Sequence, residues 1–409
     1  MRSYVHRLTD PLIEQLLADL SAVLVVGARA TGKTTTALQH AASSVRLDHD
    51  AQAAAFRADP DAALAGLAEP VLLDEWQAVP AVLGAVKRAV DSDPRPGRFI
   101  VTGSVRSNSD GGMWPGTGRL VTVDMHPLTV SEQLGTLTMP LVDRVVAGAP
   151  LIPADPAPDL RGYVALALRG GFPEAALAAS DSTRQRWLRS YLRYVAERDA
   201  PALEAGRDPV KLTRFIEAYA LNSAGMATDS TLFGAADISR DTGVAYHRLL
   251  SDLRIVADLP AWASNRLSRL VKAPKRFFVD SALVAASAGV SAPAVMSDGN
   301  LLGRLIETFA VAQLRAESAV SDLFPRLHHL REAQGRREID VIAELADRRI
   351  VAIEIKSAAA VSRSDARHLL WLKESAGDRF AGGVVLHTGP RTYELGQGIT
   401  AAPISTLWA

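Results

Sequence analysis

The sequence predicts an α/β protein built around a P-loop nucleotide-binding domain, on three observations. Short apolar runs at Leu24–Val26, Val71–Leu73 and Phe99–Val101 each end in a polar or glycine-containing turn, the pattern of strands buried on both faces of a parallel sheet. The first of them runs into Gly27-Ala28-Arg29-Ala30-Thr31-Gly32-Lys33-Thr34, a full match to G-x-x-x-x-G-K-[ST]. After residue 300 a helical stretch gives way to strand-like runs at Arg337–Ala343, Ile350–Ile355 and Gly383–His387, a second α/β pattern.

At 409 residues and 48% hydrophobic content, the chain is long enough for two or three domains. We expect residues 1–136 to form the P-loop domain, 137–290 a mainly helical region, and 291–409 the terminal α/β domain. The first boundary follows from the Pro/Ala/Gly-dense stretch AGAPLIPADPAPDL and the second from Ser291–Asn300. With no cysteine there is no disulfide framework, thiolate zinc site or cysteine nucleophile. Equal counts of Lys+Arg and Asp+Glu, 45 each, exclude a globally basic nucleic-acid coat and leave room for a local basic face. Apolar runs are too short to span a membrane, and MRSYVHRLTD lacks the apolar stretch of a signal peptide, so a soluble cytoplasmic protein is expected. Only seven residues are lysine, against 38 arginines, so a lysine here is an uncommon choice.

In the loop, glycines permit the tight turn that points backbone N–H groups at a phosphate. Residues Gly27 to Thr35 are therefore the candidate ATP-binding segment: Lys33 would pair with β- and γ-phosphate oxygens, and Thr34 would offer its hydroxyl to Mg²⁺. The competing reading is a glycine turn with a surface lysine. Asp74, at the end of the apolar run Val71–Leu73, is the expected Mg²⁺ partner, and Glu75 the group that polarises the attacking water. Taken alone, an Asp-Glu pair there equally suits a helix N-cap. Ser104, after the run Phe99–Val101, is a candidate γ-phosphate or water sensor, although it or Thr102 equally suits a turn. Arg119 is a candidate charge-stabilising arginine, in cis or towards a neighbouring copy in a homo-oligomer, with Arg106 competing and a solvated side chain as the plain alternative.

In the middle region, Arg186, Arg189 and Arg193 share one face of a helix over Ser182–Glu197, which suits a nucleic-acid or subunit contact, or simply solvent. Asp237–Leu253 reads as helix, turn, helix, and Leu259–Phe278 as the strands of a wing. In the terminal region, strand periodicity puts Glu354 and Lys356 on one face, with Val351, Ile353 and Ile355 on the core face. A separation of 14 residues between Asp340 and Glu354 fits two adjacent antiparallel strands, and Glu307 on the upstream helix would add a third carboxylate. Carboxylates holding Mg²⁺ or Mn²⁺ beside a lysine make a metal-dependent phosphodiesterase site; a Glu354–Lys356 surface ion pair is the alternative.

The stretches GARATGKTT, VLLDEWQ, FIVTGS, GRLVTVDMHPLTVSEQ, GGFPEA, YLRYVAERDA, APKRFFVDSALVAA, GRLIETFAVAQL, REIDVIAELADRRIVAIEIKS and GGVVLHTG, in this order, resemble a prokaryotic family of AAA-type P-loop ATPases with a C-terminal region of unknown function. That resemblance spans nearly the whole chain. It implies an AAA-type ATPase domain, a winged-helix segment and a restriction-endonuclease-like unit whose PD-(D/E)xK site maps to Asp340, Glu354 and Lys356, with Glu307 as the helix carboxylate. Ile339 stands where that motif has its proline. The expected activity is ATP hydrolysis coupled to a nuclease-like unit acting on DNA, the alternative being a nucleotide-switched DNA- or protein-binding scaffold without cleavage.

Overall fold

A computed structural model describes residues 3–104, 117–200, 208–265, 269, 272–332 and 336–409. The chain divides into two compact units. Residues 1–127 with 252–254 form the first; residues 128–251 and 255–409 form the second, so the expected middle and terminal regions share one unit.

The first unit is a five-stranded parallel sheet of β1 (Ala22–Val26), β2 (Ser43–Arg46), β3 (Val71–Asp74), β4 (Phe99–Gly103) and β5 (Val121–Asp124), in the order β2-β3-β4-β1-β5. The three central strands are buried along their whole length because helices cover both faces, which is why they read as unbroken apolar runs. One core lies between the sheet and the Val82–Ser92 helix, where Val82, Leu83 and Val86 meet Val71, Leu73 and Val101. The other seats Ile13 and Leu17 of the Thr9–Asp19 helix on Val23, Val25, Leu72 and Ile100. Chain connections leave β1 towards β2 on one side and return across it to β5. The strand order reverses at β1, and in open parallel sheets ligands bind at the carboxyl end of that reversal.

The second unit combines helices with a six-stranded sheet in the order β10-β11-β9-β8-β7-β6. Its strands are β6 (Arg326–Arg331), β7 (Glu338–Glu344), β8 (Ile350–Ile355), β9 (Phe380–His387), β10 (Tyr393–Gly396) and β11 (Ile399–Pro403). Two of the stretches that carry the family resemblance, GGFPEA and APKRFFVDSALVAA, meet at Asp280. Its buried carboxylate accepts from Gly171 N (2.6 Å) and from Ala282 N (2.7 Å), so it ties the GGFPEA turn to the start of the Ser281–Ala288 helix. Gly170 has φ +66°, and a Cβ there would stand 2.4 Å from an Asp280 carboxylate oxygen, so the turn requires glycine.

Two expectations for the helical region need correction. A single helix, Arg240–Asp252, replaces the helix-turn-helix placed within 237–253; the helix that precedes it is Asp229–Ala235. The region 259–278 carries isolated antiparallel bridges, Val256 with Phe278 and Leu259 with Lys275, rather than strands among its described residues. The arginine-bearing helix runs Asp181–Tyr194 and continues as a π-helical turn, Val195–Asp199, with Arg186, Arg189 and Arg193 exposed.

Candidate nucleotide site and a buried carboxylate pocket

At the carboxyl end of β1 the chain turns through Gly27, where a Cβ would lie 2.3 Å from the Met125 carbonyl oxygen. Left-handed conformations at Ala30 (φ +62°) and Gly32 (φ +97°) then curl the loop back to the short helix Lys33–Ala37. Thr31 Oγ1 donates to the Ala28 carbonyl at 2.9 Å and closes the loop on itself. From beneath, the buried Arg7 donates to the carbonyls of Thr31 (2.9 Å) and His126 (2.7 Å), a support that no sequence pattern announces.

Lys33 is buried, and its ammonium donates to the carbonyls of Gly27 (3.1 Å) and Ala28 (2.9 Å) within the loop. Burial pushes its pKa down to about 8, with the carboxylates of Glu75 and Asp74 opposing the shift. A desolvated ammonium held only by carbonyls at these contacts fits an anionic phosphate oxygen, which would restore its charge compensation. The sign of the resulting pH dependence follows. Below pH 8 the ammonium is already protonated; above it, phosphate binding must take up a proton, so ATP affinity should be flat from pH 6.5 to 8. Beyond pH 8 it should weaken by up to about tenfold per unit until the pKa of the complex is reached. ATP titrations across that range check this, and an affinity that rises above pH 8 contradicts it.

Asp74 ends β3 and is 2% exposed. Its Oδ1 accepts from Thr34 Oγ1 at 2.8 Å and from Thr102 Oγ1 on β4. Thr34 and Asp74 thus present a hydroxyl and a carboxylate oxygen side by side, the hard donors that Mg²⁺ takes. Glu75 follows in a left-handed conformation (φ +54°), uncommon for a residue with a side chain and of the kind that gathers at functional sites. Its backbone N–H donates to Thr102 Oγ1 (3.2 Å); its carboxylate accepts from Ser104 Oγ (3.2 Å) and from the Gln77 amide. Ser104 is fully buried and therefore bears on Glu75. At Gly103 a Cβ would meet the Trp76 indole nitrogen at 2.5 Å, so the glycine leaves room for the Trp76 ring against the strand end. Gln77 escapes sequence reading because it sits in a single 3₁₀ turn, Trp76–Ala78, with no periodicity to expose it.

Arg29, Ala30 and Thr35 are exposed around the loop. Arg119 is elsewhere: its Nε pairs with Asp91 Oδ1 at 2.6 Å, and it precedes β5, whose first residue, Val121, lies beside Val23 in β1. This is the amino-terminal edge of the sheet, opposite the loop, so the expectation that Arg119 acts in cis on this chain's phosphates is wrong. Arg106 lies outside the described residues. A guanidinium does stand at the correct edge: Arg254 Nη1 pairs at 2.6 Å with Asp124 Oδ1, and Asp124 is the neighbour of Val26 at the end of β1. Arg254 is too far along the chain for local sequence pattern to place it there.

In the second unit, β7 and β8 pair antiparallel with Val341 beside Ile353, so Asp340 lies opposite Glu354 as their spacing anticipates. The expected separation into a core face and a carboxylate face does not hold. Every residue of β8 is buried, and Ile350 and Ala352, which share the face of Glu354, pack under Leu369 and Leu372 of the Arg367–Ala376 helix. The carboxylates line a cavity of about 500 Å³ with Glu307, Glu338, Lys275 and Lys356. Lys356 Nζ donates to Glu354 Oε1 at 2.6 Å, and Ile355 N donates to Asp340 Oδ2 at 2.9 Å. Lys275, unassigned by the sequence reading, places its ammonium 2.5 Å from Glu307 Oε1 and 3.0 Å from Asp340 Oδ1.

Burial and the neighbouring Asp340 charge raise Glu307 to about 8 and Glu354 to about 8. Asp340, although buried, is held below its ordinary value, with Lys275, the Ile355 N–H and Lys356 outweighing desolvation. Glu307, Asp340 and Glu354 were expected as joint metal ligands. Among the described residues no three His, Cys, Asp or Glu side chains form a group that could hold a metal ion, and the Lys275 ammonium lies between Glu307 and Asp340.

Three stretches of the chain match known protein families. Residues 20–134 match the family described as AAA domain, residues 160–294 a domain of unknown function, DUF8612, and residues 302–407 another, DUF4143. The uncharacterized proteins Mb2031c of Mycobacterium bovis and Rv2008c of Mycobacterium tuberculosis are each 26% identical over 387 residues, which cover 93% of this chain and 79% of theirs. A structure titled as the Walker-type ATPase PABY2304 of Pyrococcus abyssi aligns over 69% of this chain and 94% of its own, with a TM-score of 0.42 and 13% identity. The match to an AAA domain thus falls on the stretch that carries the P-loop and the parallel sheet of the first unit. None of the helices in the described residues is long and apolar enough to cross a membrane.

Proposed function

We propose that this chain is a Mg²⁺-dependent ATPase that hydrolyses ATP at the edge formed by β1, β3 and β4. The observation that supports it most is the Thr34–Asp74 contact, which joins the P-loop to the end of β3. Lys33 and the loop N–H groups from Gly27 to Thr35 bind the phosphates, and Thr34 and Asp74 hold Mg²⁺. When bound, the metal supplies charge neutralisation on the phosphate oxygens. Glu75 accepts the proton of the attacking water, and Ser104 and Gln77 keep its carboxylate aimed. Lys33→Ala tests this: ATP hydrolysis should fall by about 10²–10³-fold, the cost of losing one preorganised charge contact. Undiminished turnover sinks the assignment. Arg119 has a role only towards a second copy of the chain, in a homo-oligomer.

For the second unit we propose a restriction-endonuclease-like pocket formed by Asp340, Glu354 and Lys356 with Glu307, moved by nucleotide turnover and acting on DNA. The helices Asp229–Ala235 and Arg240–Asp252, with the bridged segments after them, are proposed as a winged-helix variant. The alternative is a nucleotide-switched binding scaffold without cleavage, and the ammonium of Lys275 between two of the carboxylates favours it. Plasmid DNA incubated with Mn²⁺, with and without ATP, separates them. Nicking lost in both Asp340→Asn and Lys356→Ala supports the nuclease; no nicking in either condition supports the scaffold.

A further inference from the structure

The carboxylate pocket holds one more ionisable group than its sequence motif explains, and the arrangement shows where that group stands. Glu307, Asp340 and Glu354 are buried or nearly so, and two ammonium groups face them. Lys356 follows β8, is half-buried, and meets only the Oε1 of Glu354 among these. Lys275 is different. Its side chain is 3% exposed and bridges two carboxylates from separate elements, Glu307 on the Gly299–Ser318 helix and Asp340 on β7, with Glu338 Oε1 at 3.8 Å beyond. Its backbone is fixed by reciprocal hydrogen bonds with Leu259 at 2.9 and 2.8 Å, so the ammonium is delivered from a stationary strand-like segment. The remaining oxygen of Glu354, Oε2, is buried and has no hydrogen-bond partner, although the side chain is 9% exposed. An acceptor in that state is aimed at a cation or proton that the two lysines do not supply.

We propose that Lys275 is the resident cation of this pocket: its ammonium takes the position between Glu307 and Asp340 that a hard divalent cation would need, so the chain as it stands binds such a metal weakly there, and removing the ammonium creates a tight site. The physical reason is mutual exclusion. A divalent cation coordinates carboxylate oxygens at about 2.0–2.6 Å. Glu307 Oε1 and Asp340 Oδ1 cannot make such contacts while each also binds the same buried ammonium, because two cations at that spacing repel strongly where solvent does not screen them. With the Lys275 ammonium removed, Glu307 Oε1, Asp340 Oδ1 and the unpartnered Oε2 of Glu354 are left as acceptors around one cavity, with Lys356 on the other Glu354 oxygen. This inference rests on the pocket geometry and is independent of whether the pocket cuts DNA or the first unit hydrolyses ATP.

Calorimetric titration of the full chain with Mn²⁺, without nucleotide, tests it, with Asp340→Asn run alongside so that only binding through this pocket is counted. The parent should show no Asp340-dependent site tighter than millimolar. Lys275→Met should gain an Asp340-dependent site at least about tenfold tighter, lost again in the Lys275→Met, Asp340→Asn double variant. Equal Mn²⁺ affinity in parent and Lys275→Met, or micromolar Asp340-dependent binding already in the parent, overturns the proposal. If Lys275→Met folds only when Mn²⁺ is present and not in EDTA, the metal has replaced the ammonium and the proposal stands. If it folds in neither, Lys275→Gln decides: folded but binding Mn²⁺ no tighter than the parent, it overturns the proposal, and a tenfold gain upholds it.

Discussion

Glu75→Gln is expected to bind ATP as tightly as the parent while hydrolysis falls by about 10²–10⁴-fold, the range for loss of a positioned general base. The substitution removes only the ability to accept a proton. Gln fills the same volume, and its carbonyl can still accept from Ser104, which donates to Glu75 at 3.2 Å. The backbone contact from residue 75 to Thr102 Oγ1 is unaffected, as are Lys33 in the loop and the Thr34–Asp74 pair. Binding and chemistry thus separate at this residue, whereas at Lys33 both should be lost. Equal losses of binding and turnover in Glu75→Gln would mean that the carboxylate holds the loop together rather than acting on water.

The largest effect on stability is expected at Asp280. Asp280→Ala leaves the N–H groups of Gly171 and Ala282 buried without an acceptor, and each such group costs about 1–3 kcal/mol. A combined loss of about 3 kcal/mol lowers the melting temperature of the second unit by roughly 5 °C, at an unfolding entropy of roughly 2.1 cal/mol/K per residue. No compensating collapse is available, because Gly170 already brings its backbone against the carboxylate. Thermal unfolding followed by circular dichroism measures this, with ATP affinity as the control that the first unit is intact. A shift below 2 °C would show that water or a neighbouring group replaces the carboxylate.

What could be read from sequence follows where each element sits in its sheet. Strands β1, β3 and β4 are central and covered on both faces, so their apolar runs are unbroken and legible. Strands β2 (SSVR) and β5 (VTVD) form the two edges of the same sheet; each buries a single residue, and neither has the unbroken apolar run that marks the central strands. The second sheet follows this in part: β7, β8 and β9 are apparent and the edge strands β6 and β10 hidden, but the interior β11 is hidden too, because ITAAP has one large apolar residue. At the sites, residues whose partners are fixed by a loop or by register were legible: Lys33, Thr34, Asp74 and Asp340 opposite Glu354.

Residues that reach a site from distant segments were not. Arg7, Arg254 and Lys275 each arrive through tertiary packing, and no spacing rule connects residue 275 to residue 340. The scarcity of lysine was the one available signal. Lys33, Lys275 and Lys356 are three of only seven in the chain, and all three sit among carboxylates or in the phosphate loop.

Whether Lys33, Thr34, Asp74 and Glu75 form one ATP-hydrolysing site is decided by measuring nucleotide retention and phosphate release in the same sample of parent and Glu75→Gln protein, in Mg²⁺ and in EDTA. The parent should release phosphate in Mg²⁺ alone, and Glu75→Gln should retain ATP with almost no release. Parent protein that releases phosphate equally in EDTA, or Glu75→Gln that turns over at the parent rate, would contradict it.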